Sequence, residues 1–206
     1  MRRGWAEMEI QRVTLTGKHV RLEPLGEQHI AELAEIGRGH DFWKFMLYGE
    51  MNTETDFRRF VEDLLAREKK GTDLPFAVIH LASGRVAGST RYLNIDRANR
   101  GLEVGGTWYG PEFQRTAVNT ECKLLLLTHA FETLNIIRAQ IKTDSLNIRS
   151  QKAIERIGAV KEGTLRNHMI LPDGRIRDSV FYSIIDSEWP GVKRKLAEML
   201  ALRDGG

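Results

Sequence analysis

One cysteine, Cys122, is the whole thiol complement of this 206-residue chain, which excludes an internal disulfide. It falls beside Leu125 and Leu126 in an apolar stretch, where a free cysteine packs as a small hydrophobe. A nucleophilic role would need a histidine held next to it. No apolar run reaches the roughly 18 residues of a membrane-spanning helix. The first seven residues carry basic side chains with no apolar segment behind them, so no secretory signal is read and a cytoplasmic location is expected. The six histidines lack metal-ligand spacing, so no metal is expected, and His129 and His168 read as structural. Repeats and low-complexity linkers are missing too. One domain is therefore expected over residues 1–206, with its core at 12–190 and a closing helix at 189–202.

Charge of one sign is also missing. Lys and Arg number 31 against 28 Asp and Glu, a net +3. The arginines are spread along the chain rather than gathered in a stripe, so a nucleic-acid partner is not expected. Arg91, Arg97 and Arg100 flank a hairpin turn and read as a solvated loop.

What the chain does contain is clear periodicity. Residues 13–24 alternate apolar and polar around Gly17, as a strand or short hairpin. Residues 27–38 and 53–69 carry apolar side chains at helical spacing, the second through Phe57, Phe60, Val61, Leu64 and Leu65 up to a stop at Gly71. Three strands follow at 75–81, 86–95 and 102–109, joined by polar turns as an antiparallel meander. A long helix at 119–134, with Leu124, Leu127, Ala130, Phe131 and Leu134 as its inner face, leads to a strand at 136–143. A helix at 147–157 ends at Gly158. A hairpin at 160–171 and 176–185 turns through Pro172-Asp173-Gly174-Arg175, and Trp189-Pro190 opens the last helix. Gly205 and Gly206 read as a frayed end. The crossover from strand 102–109 through a helix to strand 136–143 requires those two strands to run parallel in an otherwise antiparallel sheet.

Between that strand and the long helix lies Gly110-Pro111-Glu112-Phe113-Gln114-Arg115-Thr116-Ala117-Val118-Asn119-Thr120-Glu121. A turn there exposes backbone N–H groups at the positive end of a helix dipole, a combination that suits a diphosphate. Arg115 adds a cation, and Thr116, Asn119 and Thr120 add short polar groups. An ordinary polar loop with an N-capped helix would use many of the same residues.

This segment resembles the GNAT superfamily of N-acetyltransferases, and its RimJ/RimL-like branch in particular. Pro111, Glu112, Thr120 and Glu121 stand in register with that branch's P-E-x-W-G-K-G-Y-A-T-E-A. Gln114 matches the first position of the wider Q/R-x-x-G-x-G/A signature. Ala117 stands where glycine is usual, and Asn119 where glycine or alanine is usual. A methyl group at 117 is tolerable if that residue is already helical. Further likeness lies in residues 147–159, set against N-x-x-S/A-x-x-x-x-E-K-L-G-F. It continues through Glu162-Gly163, Leu165-Arg166, Asp173-Gly174, Arg177-Asp178 and Tyr182-Ser183-Ile184, and covers residues 12–190.

The resemblance implies an α/β (α+β) GNAT fold: a mixed, mostly antiparallel sheet of about seven strands flanked by helices, its parallel pair splayed at the coenzyme site. It implies acetyl-CoA as cosubstrate, and as partner an amine acceptor, either a protein N-terminus or a small molecule. A homodimer is a family habit. It implies that Gln114, Arg115, Thr116, Ala117, Val118, Asn119 and Thr120 hold the coenzyme's phosphates. Val104, Gly105, Gly106, Thr107 and Trp108 would form the pantetheine edge, where glycine eases a distorted strand. Glu103 would be the base, or else a strand glutamate paired with Arg100 or Arg91. Asn147 would meet the pantetheine arm, or cap its helix, or both. Ser150 would serve the thiolate, or else pack on the helix surface. The tyrosine that many members carry one turn further on is replaced by Ile154. These departures leave a coenzyme-binding module without turnover as the alternative to an enzyme.

Overall fold

The computed structural model describes residues 8–204. The basic opening and the two final glycines read above lie outside the described residues. Eight strands form one sheet in the order β1-β2-β3-β4-β5-β6-β8-β7. They are β1 (Leu15–Thr16), β2 (Val20–Pro24), β3 (Leu74–His80), β4 (Val86–Asp96), β5 (Gly101–Tyr109), β6 (Arg138–Asp144), β7 (Val160–Ile170) and β8 (Ile176–Ile185). The eighth strand appears because residues 13–24 resolve into a hairpin, with Gly17 N–H donating to the Val20 carbonyl. Every neighbouring pair is antiparallel except β5 and β6.

Two helices, α1 (Ile30–Gly37) and α2 (Glu54–Lys69), cover one face. In α2 the Thr53 hydroxyl accepts from Asp56 N–H while Asp56 accepts from Thr53 N–H, a reciprocal cap that fixes the helix start. Its apolar stripe, Phe57, Phe60, Val61 and Leu64, packs with Trp43, Leu33 and Trp108. Burying each such side chain contributes about 2–3 kcal/mol. The other face carries α3 (Val118–Thr128), α4 (Ile148–Arg156) and α5 (Trp189–Asp204). There Tyr92, Val104, Leu126, Ile141 and Tyr182 form the larger core.

The long helix departs from its simple periodic reading in two ways. Its last turn, His129–Thr133, widens to π geometry. Its buried line runs through Val118, Cys122, Leu126 and Leu127, while Leu124 is only half-buried. Leu127, Ala130, Phe131 and Leu134 are buried as read, and Glu121 is buried with them because it is partnered. Its carboxylate accepts the backbone N–H groups of Lys18, His19 and Val20 at 2.8, 2.7 and 2.7 Å. A Cβ on Gly17 would stand 2.4 Å from the Glu121 carboxyl carbon, so the β1–β2 turn can approach only because that position is glycine. The start of α3 is thereby tied to the sheet's far edge.

Replacing Glu121 with Ala orphans three backbone donors in a site water hardly reaches. An unfolding titration in urea is expected to show a loss of about 3 kcal/mol or more. A loss below about 1 kcal/mol would show that the turn finds other acceptors.

Candidate active site

β5 and β6 are paired only at Gly101–Arg138, Leu102–Ala139 and Glu103–Gln140. Beyond Gln140, β6 keeps β8 alone as partner through Asp144, and β5 keeps β4. The sheet therefore opens after Glu103. β5 bends at the same place: Arg91 faces Gly105 but Ser89 faces Trp108, so one extra residue bulges in between. Gly106 takes up the bend at φ +57°, and a side chain there would press on the Arg91 guanidinium at 3.1 Å. The glycine pair thus sits at a real distortion. Val104 packs into the larger core and Trp108 into the smaller one, against Trp43 and Phe42. Between Gly105 and Thr107 this edge presents mainly backbone to the opening.

The turn that follows β5 ends in a 3-10 turn at Pro111–Phe113. Arg115 then adopts φ +64°, a left-handed conformation uncommon for a side-chain-bearing residue. Ala117 lies at φ −66°, ψ −22°, already helical, so the methyl in place of a glycine hydrogen brings no backbone strain. Thr116 Oγ1 donates to the Phe113 carbonyl and accepts Val118 N–H. Among the described residues, the amides of Ala117, Asn119 and Thr120 have no protein acceptor. These are the orphan donors of a helix start. The Thr120 hydroxyl is fully buried beneath the loop and accepts from Arg156 at 3.3 Å.

Three further arginines brace this loop, and sequence reasoning missed all of them. Arg149 donates to Gln114 Oε1, Arg156 reaches Thr120, and Arg203 donates to the Arg115 carbonyl. Burial, together with repulsion from Arg203, pulls the Arg156 guanidinium below its ordinary pKa. With Arg115 they make the loop strongly positive. Only their presence on α4 and α5 was visible beforehand.

At the start of α4, Asn147 caps the helix by accepting Ser150 N–H at 3.0 Å. The cap engages Oδ1 and leaves the Nδ2 donor, so capping and a second contact are compatible. Ser150 is half-buried on the same first turn. Ile154 is core.

Glu103 is 3% exposed and lies where the sheet parts. Its Oε2 accepts from Asn94 at 2.9 Å, Gln140 at 3.0 Å and the Lys142 ammonium at 2.9 Å. Its ion-pair partner is Lys142 of the neighbouring strand. Arg91 instead meets Asp73 at 3.1 Å and the Tyr48 hydroxyl.

A sheet that parts its parallel pair beside an amide-lined, arginine-braced helix start, with a buried carboxylate at the fork, has the architecture of an acyltransferase that draws on a thioester coenzyme. The chain belongs to the GNAT acetyltransferase family: the family model described as acetyltransferase (GNAT) domain matches residues 19–160. It is an N-acetyltransferase of that family. It is 29% identical over 174 residues to a Bacillus subtilis protein named "Putative ribosomal N-acetyltransferase YdaF", covering 84% of this chain and 92% of the relative. A GCN5-related N-acetyltransferase from Brucella melitensis superposes with TM-score 0.87 at 32% identity, covering 95% of this chain and 89% of that one. A T. thermophilus structure named "putative acetyltransferase" gives TM-score 0.83 at 36% identity, covering 95% of this chain and 99% of that one.

Two titratable groups of α3 are buried behind β5. Burial pushes the Cys122 thiol up to about 12, so it is an inert core residue. Lys123 donates to Thr107 Oγ1 at 2.9 Å, and that hydroxyl is 2.8 Å from Thr90 Oγ1. Burial lowers the Lys123 ammonium to about 8 from 10.5. Below pH 8 the fold must keep a charge out of water. Between about pH 8 and 10.5 the folded chain sheds this proton while the unfolded chain holds it, so stability rises with pH. Lys123→Met is expected to stabilise the protein at pH 7 by up to about 3 kcal/mol. That gain should shrink as unfolding is repeated towards pH 10.5. A gain that does not change with pH would mean the lysine is not a buried cation.

Proposed function

We propose that this protein transfers the acetyl group of acetyl-CoA to a primary amine, a protein N-terminal α-amine or a small-molecule amine, by direct attack within a ternary complex. The observation that carries the reading is the opening of the sheet after Glu103, with the helix-start loop at one end and buried charge at the other. The continuous sheet supports a single acetyltransferase domain. The relative named for ribosomal N-acetylation supports the RimJ/RimL-like branch and a cytoplasmic setting. No described helix is long and apolar enough to cross a membrane.

The residues fit the coenzyme. The orphan amides of Ala117, Asn119 and Thr120, the α3 dipole and the arginines would hold its phosphates, Gln114 and Thr116 shaping the turn. Val118 anchors that turn in the core. The edge from Val104 to Trp108 offers backbone groups to the pantetheine arm and to the negative charge that develops on the acyl oxygen. Asn147 Nδ2 reaches the arm. The Ser150 hydroxyl donates towards the departing sulfur. Acetyl-CoA supplies an activated acyl group, so the protein's chemical task is mainly to orient the amine and remove its proton.

In this reading Glu103 takes that proton through a water. Three donors on Oε2, one of them an ammonium, hold the carboxylate in one place. An α-amine of pKa about 8, roughly a tenth of it neutral at pH 7, asks less of any base than a lysine of about 10.4. Exposed Leu165, Ile170 and Ile176 on the β7–β8 hairpin are consistent with a homodimer through that edge.

The test is thiol release from acetyl-CoA with peptides of different N-termini, amino acids, polyamines and aminoglycosides. Acceptor-dependent release is expected. Glu103→Gln should bind acetyl-CoA normally and lose rate most steeply at low pH. A pH–rate profile identical to that of the parent protein would remove Glu103 as the base.

A further inference from the structure

The sheet face that Glu103 shares with Lys142 carries more buried charge than acetyl transfer itself requires. On β6, Ala139 and Ile141 face the larger core under α3. Gln140, Lys142 and Asp144 therefore point to the opposite face, by strand alternation. Across β8 the same face carries Arg177 and Ser179, since Ser179 pairs with Asp144. The 3-10 turn at Asp41–Phe45 closes over this region: Arg175 donates to the Lys44 carbonyl, and Arg177 Nη1 to the Phe45 carbonyl at 3.0 Å.

Most of these charges cancel in pairs. Lys142 meets Glu103 at 2.9 Å, Arg175 meets Asp144 at 2.7 Å, and Arg91 meets Asp73 at 3.1 Å. Arg177 does not. It is 6% exposed, and its Nε donates to Ser179 Oγ at 3.1 Å, so both its bonds are to neutral oxygens. Among the described residues it makes no ion pair, and its Nη2 has no acceptor. Burial, aided by the nearby Arg175, lowers its pKa against the pull of Asp144 and Glu103. A buried guanidinium without a counter-ion is expensive, and a carboxylate is the shape that fits its planar donors.

His168 stands beside it for a structural reason. β7 slips register between Leu165 and Met169, with Asn167 at φ +51° and its N–H held by Asp178 at 2.7 Å. This bulge aims His168 at Ser179, whose Oγ lies 2.9 Å from Nδ1. The Ser179 hydroxyl is fully buried. It accepts from Arg177, and where its own proton goes to Nδ1 the hydrogen of a neutral imidazole sits on Nε2. Burial and the nearby Lys142 and Arg177 favour that neutral ring, against the pull of Glu103. The fork thus holds an unpaired guanidinium and an imidazole N–H close to the carboxylate assigned to the amine.

We propose that the acceptor amine carries a carboxylate a few atoms away, which Arg177 binds with His168 while Glu103 receives the ammonium. The proposal rests on acetyl transfer at this fork. It makes Arg177 a specificity-determining residue that is not itself part of the chemistry. The carboxylate has two sources, the main-chain group of a free amino acid or the side chain of an acidic residue opening a peptide.

Thiol release from acetyl-CoA is measured with four pools: the amino acids, their α-amides, peptide amides opening with Asp or Glu, and the same peptides opening with Asn or Gln. At least one carboxylate pool is expected to outrun its amide counterpart in kcat/KM by tenfold or more, and which one does so names the source. In Arg177→Met that ratio should fall towards one through KM rather than kcat. Arg177→Lys, which keeps the charge but loses the fork, should retain part of it. Coenzyme affinity and melting temperature, read on the same samples, separate loss of recognition from loss of fold. Equal rates for the carboxylate and amide pools overturn the proposal. So does silence of all four pools while calorimetry shows acetyl-CoA bound. Failure to bind acetyl-CoA overturns the acetyl-transfer reading itself.

Discussion

Three parallel residue pairs hold β5 to β6, and their release beyond Glu103 and Gln140 is the constraint on which the rest of the site depends. A parallel pair needs a crossover, and here the crossover is α3, so the helix start must sit just past the end of β5. Once the strands part, their backbone groups lose each other as partners. β5 bulges through Gly106, and β6 turns its remaining bonds to β8. An opening lined by backbone donors and acceptors results, with the positive end of α3 at one end. Glu121 stabilises this geometry from behind by accepting three amides of the β1–β2 turn, which fixes where α3 begins.

The two faces of the opening differ in how they treat charge. On the α3 side the loop gathers Arg115, Arg149, Arg156 and Arg203, bonded largely to carbonyls, hydroxyls and an amide oxygen, and this suits a polyanion. On the α1–α2 side the buried charges of Glu103, Asp144 and Asp73 are each matched by a cation, while among the described residues Arg177 makes no ion pair. Such buried pairs add little net stability but are costly to break, which keeps each group in one place. The fork therefore combines fixed polar groups with a wall of packed aromatics. Trp108 is stacked among Phe42, Trp43 and Phe57 and serves as rigid support for the bulge.

Most of the architecture was legible because each element shows its own period. The capped α2, the meander, the closing hairpin and the parallel crossover all follow from alternation, helical spacing and turn residues. The Gly105-Gly106 pair marked the bulge for the same local reason. Ala117 was readable as harmless provided it was helical, and it is. What escaped was set by distant chain. Glu121 is buried on α3 because its carboxylate found partners 101 to 103 residues away. Glu103 found Lys142, 39 residues on, and Arg91 found Asp73. Three of the arginines at the loop come from α4 and α5, far from it in sequence. The contact of His168 with Ser179 depends on the slip in β7, which alternation does not show. Periodicity reports burial, but it carries no information about which buried polar groups meet.

Amide hydrogen exchange with and without acetyl-CoA tests the central claim, that the parting of β5 from β6 makes the coenzyme cleft, without requiring an acceptor. The account predicts that added acetyl-CoA slows exchange at 104–108 and at 115–120, while β1–β3 are unchanged. Saturating acetyl-CoA that protects some other surface, or that leaves both segments exchanging as before, would contradict it.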